Sequence, residues 1–343
     1  MPRMASSTAR LPRMLAAILI AIMIPWCGLQ QERAAMRVVI IGGTGHIGSY
    51  LVPMLVRAGH SAVCITRGAS APYFADPAWE HVEHCHADRD AQDKAGTFGA
   101  LVAGFKADAV IDLMCFTPDS ARHLLAALGG SGTHLLHCGS VWVYGPRSGA
   151  LHDEAAPRAP YGVYAEWKAQ IEALLLAQDA APATVIHPGQ IAGRYWWPIN
   201  PAGTLQPAVF AQLARGAPVA LPDGGGATLH FAHASDIARA FLHALDARSL
   251  ARGHSFNVAS PQPVTLRDYA QAVAQWHGRQ WQPAAGDWRR YDSPQQIQFA
   301  EYMVKYNTGC CSGKAQRLLG WRATYDGLEA AGEGILHLLA PRA

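Results

Sequence analysis

Arg37-Val38-Val39-Ile40-Ile41-Gly42-Gly43-Thr44-Gly45-His46-Ile47-Gly48 is the stretch on which the fold turns. Its first five residues, rich in β-branched side chains, read as a buried strand. The helix that starts near His46 carries Ile47, Leu51, Val52, Leu55 and Val56 on one face. Between the two stand three glycines at GxxGxxG spacing, each with its own task. Gly42 permits the tight turn, Gly45 lets the backbone approach a pyrophosphate, and Gly48 lets the helix pack closely on the strand. A helix N-terminus adds unpaired N–H groups and the positive end of a dipole, so Gly42, Gly43, Thr44, Gly45, His46, Ile47 and Gly48 together form a candidate dinucleotide cradle. A glycine-rich turn alone also merely joins elements; the order strand, turn, amphipathic helix is what favours the cofactor reading.

Outward from this unit the same alternation continues. Ser61 to Thr66, His81 to Ala87, Ala109 to Met114, His134 to Ser140, Ala183 to His187 and Phe256 to Ala259 read as strands, and Pro118 to Leu128 and Val163 to Leu176 as helices. Alternating strands and helices predict an α/β fold, a Rossmann-type doubly wound parallel sheet with a smaller C-terminal substrate lobe. After Pro188 the texture changes. Pro198, Pro201, Pro207, Pro218 and Pro222 with interspersed glycines indicate loops and short helices, followed by helices over Leu266 to Trp276 and Ala330 to Leu339. The expected division is a core over 36–190 to which 227–260 returns, and a lobe from 191–226 and 261–343.

Half of the 343 residues are hydrophobic, enough for a sizeable core, and the net charge of +3 is scattered, with no Lys/Arg run interleaved with aromatics. A small molecule is therefore expected as partner rather than nucleic acid, and a homodimer is compatible with the composition. The seven cysteines include no CxxC and several fall in apolar strands, which reads as reduced thiols of a cytoplasmic protein. Residues 1–35 stand apart. Arg3, Arg10 and Arg13 precede an apolar run over 14–24 and Pro25, the layout of a signal peptide or an N-terminal membrane anchor, though the run is shorter than the ~20 residues that span a bilayer. A start at Met36, with the extension mis-assigned, is the third reading.

At the end of the second strand a carboxylate would bind the ribose 2′-hydroxyl of NAD and a basic residue the 2′-phosphate of NADP. Thr66 and Arg67 stand there, favouring NADP over NAD. Asp88, past the third strand, is placed to accept from the adenine amino group, or is a solvated turn residue. Tyr164-Ala165-Glu166-Trp167-Lys168 puts a phenol and an ammonium one helical turn apart on one face. A nearby cation favours the phenolate of a tyrosine whose ordinary pKa is about 10, fitting it to exchange a proton with a substrate hydroxyl during hydride transfer. A surface pair at i,i+4 is the plainer alternative.

With these motifs the chain resembles the extended short-chain dehydrogenase/reductase family, also called the NAD-dependent epimerase/dehydratase family, from Met36 onward. The matching residues are the turn Gly42 to Gly48, the segment Cys138-Gly139-Ser140-Val141-Trp142-Val143-Tyr144-Gly145, and Tyr164 with Lys168. The resemblance implies that Ser140 hydrogen-bonds the reacting oxygen, Tyr164 is the acid/base and Lys168 also holds the nicotinamide ribose. It implies further that His187 to Gly193, with Gln190, lies near the substrate, and that Phe231 to Asp236 is the family's lobe motif. Two departures narrow the chemistry. Val141 and Trp142 replace the acidic residues of the dehydratases, and Leu229 replaces an arginine that epimerases give to a diphosphate, with Arg194, Arg215 or Arg289 as substitutes. Tyr195, Trp196 and Trp197 are expected either as an aromatic wall for a sugar ring or as packing.

The implied activity is hydride transfer at a secondary alcohol or ketone, as reductase or epimerase; the alternative is a non-catalytic dinucleotide-binding regulatory or RNA-associated protein on the same fold. His81, His84, Cys85 and His86 cluster in sequence without a further ligand nearby, so no metal is expected. Asp112 and His137 read as satisfied core residues.

Overall fold

The computed structural model describes residues 34–145, 151–285 and 309–340. The apolar run 14–24 and Arg289 lie outside the described residues. Among those described, no helix is long and apolar enough to cross a membrane.

The strands are β1 (Arg37–Ile41), β2 (Ser61–Thr66), β3 (Glu83–His86), β4 (Ala109–Asp112), β5 (His134–Cys138), β6 (Ala183–Pro188), β7 (Gln190–Ala192), β8 (Thr228–Leu229), β9 (Phe231–His233), β10 (His254–Val258) and β11 (Val264–Thr265). The helices are α1 (His46–Arg57), α2 (Arg89–Lys94), α3 (Phe98–Gly104), α4 (Pro118–Leu128), α5 (Val163–Leu176), α6 (Ala208–Ala214), α7 (Ala234–Asp246), α8 (Arg248–Ala251), α9 (Leu266–Trp276), α10 (Gly313–Leu319) and α11 (Gly327–Leu339). Seven strands form one sheet in the order β10-β6-β5-β4-β1-β2-β3, parallel throughout.

Alternation along β1 explains the layering. Val38 and Ile40 join Leu51, Val52, Ile237 and Phe241 in the core under α1 and α7, while Val39 and Ile41 join Phe98, Leu124 and Ile171 in the core under α3, α4 and α5. With both faces covered, β4, β5 and β6 are buried along their whole length. Phe241 is wholly buried in the first core, where truncation to Ala would cost about 3–5 kcal/mol. Beyond β6, β7 pairs with β9 and β8 with β11, and α6, α9 and α11 close a second core around Phe210, Phe231, Tyr269 and Ile335. Helix α10 packs on α7 and β10, with Ala315, Leu319 and Trp321 in the first core.

Three strands differ from expectation at their ends, each for a local reason. Asp76 accepts from Ala78 N and opens a 3-10 helix over Pro77–His81, so β3 begins at Glu83 rather than His81. The Asp112 carboxylate accepts from Met114 N at 3.0 Å and ends β4 two residues early. Ser140 caps a 3-10 helix over Val141–Tyr144, so β5 ends at Cys138. In each case a side chain offers the backbone a partner other than the neighbouring strand.

Candidate active site

Strand order reverses between β1 and β4, and a cleft of about 540 Å³ includes Gly42, Thr44 and Gly45 of the turn, Thr66 and Arg67 at the end of β2, Asp88 beyond β3, and Met114 and Phe116 beyond β4. Gly42 has φ 86°, and a Cβ there would stand 2.3 Å from Met114 Cγ, so a side chain would be both strained and crowded. Gly45 is the N-cap of α1; no side chain caps this helix and no acidic residue occupies its first turn. Nothing in the helix itself therefore competes for its first N–H groups. Helices α2 and α4, in contrast, are capped by Asp88 and Thr117.

The rest of the glycine segment does not line the cleft. A Cβ at Gly43 would meet Cys64 Sγ at 2.5 Å and one at Gly48 would meet Gly43 O at 2.2 Å, so these two glycines let helix, turn and sheet close on one another. Ile47 is core. His46 stacks on Trp196, ring centroids 5.1 Å apart and planes 12° from parallel. Burial, with His233 adding to it and a bond with the Arg194 backbone opposing, pushes the His46 pKa down to about 3. The imidazole is neutral and brings no cation to a phosphate.

Arg67 is exposed at the mouth of the cleft. Asp88 uses Oδ1 to accept from Ala91 N at 3.1 Å, capping α2. Arg89, which sequence reasoning passed over, is buried and forks onto Asp112 at 2.7 and 2.9 Å, with Asp93 at 3.3 Å. This pair fixes the end of β4, from which Met114 and Phe116, both more than 40 % exposed, emerge beside the cleft. Neither carries a sequence signal of its own.

Ser140, Tyr164 and Lys168 come together at the ends of β4 and β5. The Lys168 ammonium is buried and donates to Cys115 O at 2.8 Å and Cys138 O at 2.7 Å, lying 4.9 Å from the Phe116 ring and 5.9 Å from that of Tyr164. Burial lowers its pKa, against the neighbouring Cys138, Cys115 and Asp112. Tyr164 as a whole is 43% exposed, yet desolvation around its hydroxyl pushes the pKa up to about 12, the Cys138 thiol adds to the rise, and a hydrogen bond with Ser140 opposes it. Trp142 meets the Tyr164 ring edge-on at 5.7 Å. A phenol at or above its ordinary pKa of about 10 is protonated at neutral pH.

The three consecutive aromatics do not form one wall. Tyr195 has φ 65° and rests on His337 of α11 at 4.2 Å, Trp196 stacks on His46, and Trp197 stacks on Phe210 in the lobe core at 5.5 Å. Gln190 is buried and its Oε1 accepts from His230 N at 2.9 Å, which helps hold β7 to β9. Leu229 is buried in the lobe core, and Arg215 is exposed at the end of α6. Trp79 stacks on His84, and among the described residues no three His, Cys, Asp or Glu side chains converge as a metal site.

Known proteins share this architecture. The chain is 29% identical to the 2'-dehydrokanamycin reductase of Streptomyces kanamyceticus over 278 residues, 80% of this chain and 75% of the relative. It is 26% identical to the chloroplast stem-loop binding protein of 41 kDa b of Arabidopsis thaliana, covering 85% of this chain and 76% of that one. The crystal structure of a UDP-glucose-4-epimerase from Stenotrophomonas maltophila with bound NAD superposes with a TM-score of 0.66 at 20% identity, over 88% of this chain and 97% of the other. Residues 38–259, which run from β1 through β10 and include the glycine turn, Ser140, Tyr164 and Lys168, match the sequence profile of the NAD dependent epimerase/dehydratase family, and the chain belongs to that family of nicotinamide-dependent enzymes.

Proposed function

We propose that this protein is an NADP-dependent reductase of a ketone on a sugar-like or similar small ring, with Tyr164 as the proton donor. The observation that carries the proposal is the convergence of the Tyr164 phenol, hydrogen-bonded with Ser140, and the Lys168 ammonium, buried one helical turn away and 5.9 Å from the Tyr164 ring. The dinucleotide, when bound, supplies a hydride to the carbonyl carbon. Thr44 and the uncapped start of α1 would receive its pyrophosphate on backbone N–H groups, with Gly42 and Gly45, whose own N–H groups bond Ile65 O and Gly42 O, leaving room for its approach, and Arg67 would receive its 2′-phosphate. Asp88 keeps Oδ2 for the adenine amino group. Lys168 spends two N–H bonds on Cys115 O and Cys138 O and has a third for a ribose hydroxyl.

Ser140 holds the ketone oxygen and Tyr164 gives it a proton, so that ketone, hydride and proton make a secondary alcohol; the phenol regains its proton from solvent. Trp142 and Trp196 supply apolar faces suited to a ring, and buried Val141 and Leu229 offer no charge to a diphosphate. The name of the first relative, 2'-dehydrokanamycin reductase, agrees with the reductase part of this reading.

The test is a fluorescence titration with NADPH and NADH, then a panel of ketones comprising 2'-dehydrokanamycin, free keto-sugars and keto-sugar nucleotides, following NADPH consumption. A charge-assisted contact from Arg67 is worth about 1.5–3 kcal/mol, so NADPH should bind at least ~10-fold tighter than NADH. One panel member should consume NADPH stoichiometrically. Tighter NADH binding would overturn the role of Arg67, and epimer formation without net consumption would make the protein an epimerase. The second relative's name supports a second reading, stem-loop binding on the same fold. RNA stem-loop retention in a gel shift, with no NADPH binding, would favour it.

A further inference from the structure

Glu172 continues the stripe of α5 that bears Tyr164 and Lys168, four residues beyond the lysine and eight beyond the tyrosine. Its carboxylate is buried and grips Arg158 at 2.8 and 2.5 Å. The same Oε1 stands 3.0 Å from Nε2 of His187, a wholly buried residue of β6. On the other side of that imidazole, Nδ1 accepts from the backbone N–H of Ser140 at 3.0 Å. A neutral imidazole whose Nδ1 accepts must carry its proton on Nε2, which here faces the carboxylate.

These contacts close a circuit. Ser140 is hydrogen-bonded to Tyr164, the helix leads from Tyr164 to Glu172, Glu172 faces His187, and His187 returns to Ser140. The far end of the short helix that Ser140 opens is held as well. The Tyr144 hydroxyl donates to Asn257 Oδ1 at 2.7 Å, and the Arg158 guanidinium lies 4.6 Å above the Tyr144 ring. Gly139 makes room for the circuit, because a Cβ there would come within 2.4 Å of His187 Nδ1.

We infer that His187 is a positioning residue: with Glu172 it sets the height of α5 against the end of β5 and thereby the alignment of the Ser140 hydroxyl with the Tyr164 phenol. The inference rests on the proposed roles of Ser140 and Tyr164. His187 is wholly buried and does not line the cleft, and its effect passes through the Ser140 backbone. A merely structural histidine would change stability; a positioning histidine changes kcat through Ser140.

The experiment compares His187→Asn, whose amide oxygen can stand near Nδ1, with His187→Gln, whose amide reaches toward Glu172 and leaves Ser140 N–H without its acceptor. Both are made in the wild-type and Ser140→Ala full-length chains and assayed with NADPH and the panel ketone that the wild type consumes fastest. His187→Gln should lower kcat by about 10- to 100-fold, with KM and NADPH affinity within about twofold, and His187→Asn should recover most of the loss. In Ser140→Ala, His187→Gln should cost nothing further.

An unchanged kcat in His187→Gln, no recovery in His187→Asn, or a loss that adds in full to Ser140→Ala would overturn the inference alone. Undiminished turnover in Ser140→Ala would overturn the proposed function and this inference with it. Nitrogen-15 spectra of the wild-type chain test the geometry independently of folding in the variants. They should show the His187 Nδ1 unprotonated and Nε2 protonated, and the reverse tautomer would contradict the circuit.

Discussion

The turn after β1 and the turn after β7 meet at the stack of His46 on Trp196, yet they are built in opposite ways. The first is contiguous in sequence and works through backbone: glycines where side chains would clash, and a helix start that no side chain caps. The second is held by residues far away. Glu333 of α11 accepts from Arg194 N at 3.2 Å and meets His233 Nε2 at 2.6 Å. Gly334 must lack a side chain because a Cβ would stand 2.5 Å from the carbonyls of Gly193 and Trp196, and Tyr195 is forced into the left-handed region. Backbone recognition suits a ligand part common to all dinucleotides, whereas side chains presented by a strained loop suit selection of one substrate. Substitutions on the first side should therefore decide whether cofactor binds and reacts, and those on the second which substrate is taken.

The largest effect that would sharpen this contrast is expected from Lys168→Met, on the cofactor side. It removes a preorganised cation and leaves two carbonyls without their donor, and turnover should fall about 10²- to 10³-fold. Thermal melting should move little, since relief of the buried charge offsets the lost bonds. Next comes Gly48→Val. Its Cβ would lie 2.2 Å from Gly43 O, backbone that cannot yield cheaply, so about 1–3 kcal/mol of stability and a comparable part of NADPH affinity should be lost in calorimetry. If affinity survived, backbone geometry would not be what reads the dinucleotide. Arg67→Ala is expected to reduce the NADPH-over-NADH ratio by about tenfold, measured as paired dissociation constants. The smallest effect belongs to the lobe. Trp196→Leu should weaken substrate KM several-fold, in line with about 0.5–1.5 kcal/mol for a stacked pair, and leave NADPH affinity unchanged. A loss of NADPH affinity instead would erase the distinction between the two turns.

What could be read from sequence follows the same line. The strand–turn–helix unit at 37–57 and the Tyr164–Lys168 spacing are local patterns, and both appear where the pattern puts them. The positions of Met114 and Phe116 were not legible, because β4 stops where Asp112 pairs with Arg89, a residue that reads as an ordinary first-turn arginine. The divergence of Tyr195, Trp196 and Trp197 depends on a left-handed backbone at a tyrosine, which no local preference foretells. The surroundings of the Tyr164 hydroxyl and the two carbonyls that hold Lys168 come from the ends of β4 and β5, and no local pattern shows where those ends lie. Glu172, by contrast, could have been found, since a carboxylate four residues beyond a buried lysine on the same helical face is a sequence signal in its own right.

The central claim is that Tyr164 donates the proton in a ketone reduction driven by NADPH. Its most direct test is the turnover of Tyr164→Phe beside wild type, with NADPH affinity measured on both. The ring and its contact with Trp142 remain while the hydroxyl is lost, so NADPH should bind equally and ketone reduction should drop about 10²- to 10⁴-fold. Wild-type turnover in Tyr164→Phe would contradict the account.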